Sequence, residues 1–140
     1  MAILEWSPSY VLGIALMDET HLEFADLVNQ VGEVADGELA AKYDELMAHT
    51  VAHFEQENLW MKECGFPPID CHVGEHTRVI QALQTVRKLL ARGDLVIARR
   101  AAEEMAPWFA NHAATMDTAL ALHIKRSNYT PVELQSQKAA

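Results

Sequence analysis

The chain has 140 residues and a formal net charge of -9, enough for one domain with a core that needs neither disulfides nor a structural metal to hold it. Half of the residues are hydrophobic and 22% are charged, an ordinary globular balance that excludes disordered and fibrous classes. The acidic excess argues against nucleic acid and against anionic membrane surfaces as partners.

The opening MAILEWSPSY has neither the positive n-region nor the apolar h-region of a secretory leader. No apolar run approaches bilayer length. The expected address is therefore the cytoplasm, with Cys64 and Cys71 as free thiols.

Apolar residues recur with helical period throughout, and no alternating strand segment breaks the pattern. Residues 1–17 are expected to form an N-terminal arm. A first helix is expected from about Asp18, as N-cap, to Ala35. The second runs from about Leu39 to Cys64, where Gly65 and the prolines of GFPP stop it. The third starts near Asp70 and ends at ARGD, with Gly93 as its C-terminal glycine and Asp94 as N-cap of the fourth. The fourth is expected to continue to about Arg126, kinked at Pro107, and residues 127–140 form a polar tail. Four long helices with short connections imply an all-α fold, an up-down-up-down antiparallel four-helix bundle over residues 18–126.

Helical phase then places the polar residues. The first helix carries Met17, His21, Phe24, Val28 and Val31 on its inward stripe. The second carries Tyr43, Leu46, Thr50, His53, Glu57 and Trp60, and the third His72, His76, Val79, Leu83, Val86 and Leu90. On the fourth the stripe reads Ala101, Met105, Trp108, His112 and Met116. Asp117 follows His112 by five residues, roughly 140° further round an ideal α-helix, and so must reach in from the seam's edge. In an antiparallel bundle these positions lie at one level. Five imidazoles and two carboxylates, His21, His53, Glu57, His72, His76, His112 and Asp117, are expected to converge inside the bundle.

Buried imidazoles and carboxylates without partners cost energies on the kcal/mol scale, and metal ions are the partners that answer all of them together. Seven ligands exceed one tetrahedral zinc, and a set without thiolates argues against a structural zinc. They suit two octahedral ions bridged by the carboxylates, and nitrogen with carboxylate ligands around an open position is the pattern of non-haem iron. A rival motif is present: HVGEH, His72 to His76, matches the inverted zinc-protease pattern with Glu75 as base. That reading leaves the other five polar residues buried without use. His49 and His123 read as satisfied core or surface histidines.

The segments MDETH, HFEQEN followed by GFPP, HVGEH and WFANHAATMD, with the opening LEWSPSYVLGIA, resemble the hemerythrin family in its single-domain bacterial form, over about Leu4 to Asp117. The resemblance implies two non-haem irons with a μ-oxo or hydroxo bridge. His72, His76 and His112 would bind one iron and His21 and His53 the other, with Glu57 and Asp117 bridging. It implies reversible O₂ binding without enzymatic turnover, in a pocket that includes Trp108, Phe109 and Ala113. Phe109 and Ala113 depart from the aliphatic residues usual in the family, and Asn58 stands where a second acid is common. Diiron oxidases and peroxidases of the bundle class are the alternative, but they use more carboxylates. An O₂ or redox sensor would need an output module, which this chain is expected to lack, although the polar tail offers a docking segment for a protein partner.

Overall fold

The computed structural model describes residues 2–134; the remainder of the expected tail, 135–140, lies outside the described residues. A 3₁₀ turn at Pro8–Tyr10 precedes α1 (Ala15–Glu33), α2 (Asp36–Glu63), α3 (Ile69–Ala91) and α4 (Leu95–His112). A π-helical turn, Ala113–Asp117, carries α4 without a break into α5 (Thr118–Arg126). The chain is all-helical among the described residues: α1 packs on α2 and α4, and α3 packs on α2 and α4, closing a four-helix bundle.

The helix ends follow local chemistry. Gly65 takes φ +67° after Cys64, and Phe66 N–H reaches back to Met61 C=O at 2.9 Å. Gly93 takes φ +97°, so the N–H groups of Gly93 and Asp94 close on Leu90 and Leu89. Both are the left-handed terminations that glycine permits without a Cβ penalty. Asp94 then caps α4, its carboxylate accepting from Ile97 N–H at 3.1 Å. Arg99 of α4 donates to the C=O groups of Val31, Gly32 and Val34 and to Asp36, covering the tight α1–α2 connection.

Asp18 is not an N-cap. The first helix begins at Ala15, three residues earlier than expected, and Asp18 in its first turn accepts from Leu12 and Gly13 N–H at 2.7 and 3.1 Å. Its carboxylate pins the arm to the start of the helix. Asn29 holds the arm further along through paired bonds with Leu4 N–H and C=O. The arm's aromatic residues lead inward, Trp6 on Tyr10 and Tyr10 on Phe109, with ring centroids 5.3 and 5.2 Å apart.

The core is divided. One apolar cluster contains Phe24, Val28, Leu46, Leu83, Met105 and Phe109; another contains Met17, Trp60, Met61, Phe66, Leu120 and Ile124. Along every helix the polar residues of the expected seam lie between the two. The tail's described part is not free of the body: Tyr129 packs against the second cluster, Trp60 Nε1–H donates to Val132 C=O at 2.7 Å, and Leu134 N–H reaches Gln56.

On α4 the expected stripe is displaced. The buried residues are Ala98, Ala102, Met105, Phe109 and His112, then Ala113 and Asp117 of the turn, while Ala101, Trp108 and Met116 are half-buried. The helix also continues past Pro107, an exposed position within α4.

Candidate metal centre

His21 on α1, His53 and Glu57 on α2, His72 and His76 on α3, and His112 and Asp117 at the α4 exit are all buried, none more than 3% exposed. The seven residues anticipated from the sequence are thus brought together. The α-helical steps of four, His53 to Glu57 and His72 to His76, put each pair on one face. The five-residue step from His112 to Asp117 is closed by the π turn, whose hydrogen bonds run i to i+5: Thr118 N–H bonds to Ala113 C=O. Asp117 therefore does not reach in from the edge. It lies under His112, with Oδ1 at 3.2 Å from Nε2.

The carboxylate oxygens divide the histidines into two sets. Glu57 Oε1 faces His72 and His76 at 3.5 and 3.3 Å, and Asp117 Oδ1 faces His72 and His112 at 3.1 and 3.2 Å. Glu57 Oε2 faces His21 and His53 at 3.4 and 2.8 Å, and Asp117 Oδ2 faces His21 at 3.1 Å. His72 and His112 point their Nε2 atoms at each other, 3.2 Å apart. Cis ligands about 2.1 Å from an octahedral ion lie roughly 3.0 Å from one another, which is the spacing seen here.

Close approach does not amount to pairing. His21 Nε2, His76 Nε2, Glu57 Oε1 and both Asp117 oxygens are buried with no hydrogen-bond partner, although oppositely polar atoms stand 3.1–3.5 Å away. A cation placed among these atoms would give the carboxylate oxygens and the deprotonated ring nitrogens a common partner. Glu57, His72, His76, His112 and Asp117 each offer a ligand atom within 4.8 Å of the others, as do His21, His53 and Glu57.

Electrostatics accord with that reading. Burial works against charge on Glu57, but His53 beside it and the neighbouring imidazoles hold its carboxyl well below the usual range. Asp117 is likewise held low against burial and the Glu57 charge, by His112, His21 and His72. Burial disfavours imidazolium at His21 and His72, yet Asp117 and Glu57 raise them to about 10 and about 9. At His53 and His76 burial prevails and lowers the value. Two carboxylates stay ionised in a dry layer, and positive charge is what that layer favours.

A family model for the hemerythrin HHE cation binding domain matches residues 12–122. The chain belongs to the hemerythrin family. Among curated hemerythrin relatives, a bacteriohemerythrin of Ralstonia nicotianae is 38% identical over 117 residues, covering 84% of this chain and 85% of its own. A bacteriohemerythrin of Stenotrophomonas maltophilia is 26% identical over 132 residues, covering 89% and 84%. A crystal structure of a hemerythrin leucine-to-alanine mutant superposes with a TM-score of 0.81 at 20% identity, over 88% of this chain and 98% of that one.

Within this hemerythrin bundle the residues next to the cluster take different sides. Phe109 is buried with its ring 5.1 Å from that of His21 and 5.3 Å from Phe24. Trp108 stacks on His112, centroids 4.6 Å apart and 18° from parallel, and donates Nε1–H to Glu75 at 2.8 Å. Glu75 also pairs with Arg78, and the Trp108 bond, ahead of Arg78, lowers its pKa. The glutamate of HVGEH is thus engaged outside the cluster, and the zinc-protease reading has no base. His49 bonds Glu23 at 3.2 Å and His123 bonds Cys64 C=O at 2.9 Å. Sequence reasoning missed the contact of Asn58, one position after Glu57, with His76 Nδ1 at 2.8 Å. Among the described residues no helix is long and apolar enough to cross a membrane.

Proposed function

We propose that this hemerythrin-family chain binds O₂ reversibly at a non-haem diiron centre, as an oxygen carrier, storage or delivery protein. The observation that carries the reading is the division of oxygens at Glu57 and Asp117, one of each toward three imidazoles and the other toward two. His72, His76 and His112 would hold one iron, His21 and His53 the other, and both carboxylates would span them. When bound, the irons supply the coordination position and the electrons for O₂ uptake. The chain supplies selectivity and protection. Two imidazoles against three leave fewer protein donors on the His21 and His53 side, which is the side that Phe109 and Phe24 face.

Phe109, with Ala113 one turn on, would keep this side dry, so that a small apolar gas enters more readily than water or acids. Trp108 would shield His112 on the opposite side. Five imidazoles with only two carboxylates supply little negative charge to stabilise high-valent iron, which favours reversible binding over oxidase or peroxidase turnover. The test is optical. Iron-loaded, anaerobically reduced protein is exposed to air and then flushed with inert gas. A visible charge-transfer band that grows with air and vanishes on flushing is expected. Irreversible passage to an oxidised spectrum would overturn the carrier reading in favour of oxidase or sensor chemistry.

A further inference from the structure

The cluster histidines are not held alike. Four of them, His21, His53, His72 and His112, leave Nδ1 buried without a hydrogen-bond partner. His76 differs: its Nδ1 lies 2.8 Å from Asn58 Oδ1, and its ring stacks face to face on Phe54, centroids 3.9 Å apart and 5° from parallel. A surface depression of about 230 Å³, lined by Phe54, Asn58, His76 and Ile80 among others, reaches this edge of the ring between α2 and α3. His76 itself stays 2% exposed, and the Asn58 side chain that contacts its Nδ1 lines the same depression.

The tautomer follows from the outward bond. Asn58 Oδ1 can only accept, so the proton is on His76 Nδ1, and Nε2 presents its lone pair toward Glu57 Oε1 and the cluster. A ligand imidazole whose outer N–H is held by an acceptor is fixed in tautomer and ring orientation, and the acceptor's charge sets how strongly the ring donates. A carboxylate would draw the proton outward and make the ring a stronger donor. The amide of Asn58 gives the orientation without the charge.

We propose that Asn58 is a positioning residue that fixes His76 for metal binding and, being neutral, keeps it a weaker donor, so that the ion it binds favours its reduced state. The inference rests on the diiron reading above. Asn58→Asp keeps shape and acceptor while adding charge; Asn58→Leu keeps approximate shape and removes the acceptor. Iron affinity is measured anaerobically by chelator competition with Fe²⁺, and the midpoint potential by spectroelectrochemical titration of the iron-loaded proteins.

Loss of the acceptor in Asn58→Leu is expected to weaken uptake of one of two Fe²⁺ by about 10- to 100-fold. The potential is expected to fall in Asn58→Asp and to rise in Asn58→Leu; a purely structural role does not give opposite signs. Potentials equal to the wild type in both variants, or shifted in the same direction, overturn the proposal. If Asn58→Leu fails to fold by circular dichroism, the Asn58→Asp potential alone decides. Wild-type protein that takes up no Fe²⁺ overturns the diiron reading, and this proposal with it. Wild-type protein that binds two, beside unresponsive variants, overturns this proposal only.

Discussion

Glu57 is one turn from His53 and 1% exposed, and its two oxygens face different sets of histidines. Neutralising it therefore has a different consequence from removing a histidine. In His53→Ala the His72, His76 and His112 side keeps its three imidazoles and both of its facing carboxylate oxygens, so the variant is expected to retain about one of two irons. Glu57→Gln puts an NH2 group in place of one of the two oxygens and removes the negative charge that both sides share, and is expected to retain fewer than one, measured as iron per chain after anaerobic loading and desalting. The seven polar residues were legible because each helix keeps its stripe in phase and a buried histidine needs a partner. The outward contacts of Asn58 and Glu75 were not legible. They depend on how the α2–α3 and α3–α4 faces meet, which periodicity within one helix does not contain.

On the scale of elements, α1 to α3 follow their stripes and α4 does not. Its start and the glycines that end α2 and α3 could be read because caps are local chemistry, decided by one side chain or one positive φ. Its buried face could not, since apolar residues occupy both Ala101–Trp108 and Ala102–Phe109 and only packing against α1 and α3 selects between them. The π turn escaped the 3.6-residue period altogether. One extra residue between His112 and Asp117 brings a five-residue spacing onto one face, which is where the functional demand lies.

Pro107 interrupts the hydrogen bonding of α4 at an exposed position without ending the helix. Proline costs about 3 kcal/mol relative to alanine inside a helix. Pro107→Ala is accordingly expected to stabilise the protein by about 1–3 kcal/mol in urea denaturation, with iron per chain unchanged. A loss of stability would mean that surrounding packing requires the proline's geometry.

For the whole molecule the polar layer has a thermodynamic consequence. Two apolar clusters fold around it, and without a cation the layer keeps buried nitrogens and oxygens with no partner. A ligand that binds only the folded state, present at about 1,000 times its dissociation constant, adds roughly 4 kcal/mol. Chelation is therefore expected to lower the melting temperature clearly, and re-addition of Fe²⁺ under anaerobic conditions to restore it. An equal melting temperature with and without metal would mean that the cluster's pairs satisfy one another. The tail belongs to this scale as well, since its bonds from Trp60 and to Gln56 join it to α2 beside the layer, a docking that its polar composition did not suggest.

The central claim is that two cations share this layer, divided by the oxygens of Glu57 and Asp117. Anomalous diffraction at the iron edge from crystals of the anaerobically loaded protein tests it most directly. The account predicts two iron peaks about 3.5 Å apart, one among His72, His76 and His112 and the other beside His21 and His53, with a carboxylate oxygen of Glu57 and of Asp117 on each. A single peak, or iron bound away from these residues, would contradict it.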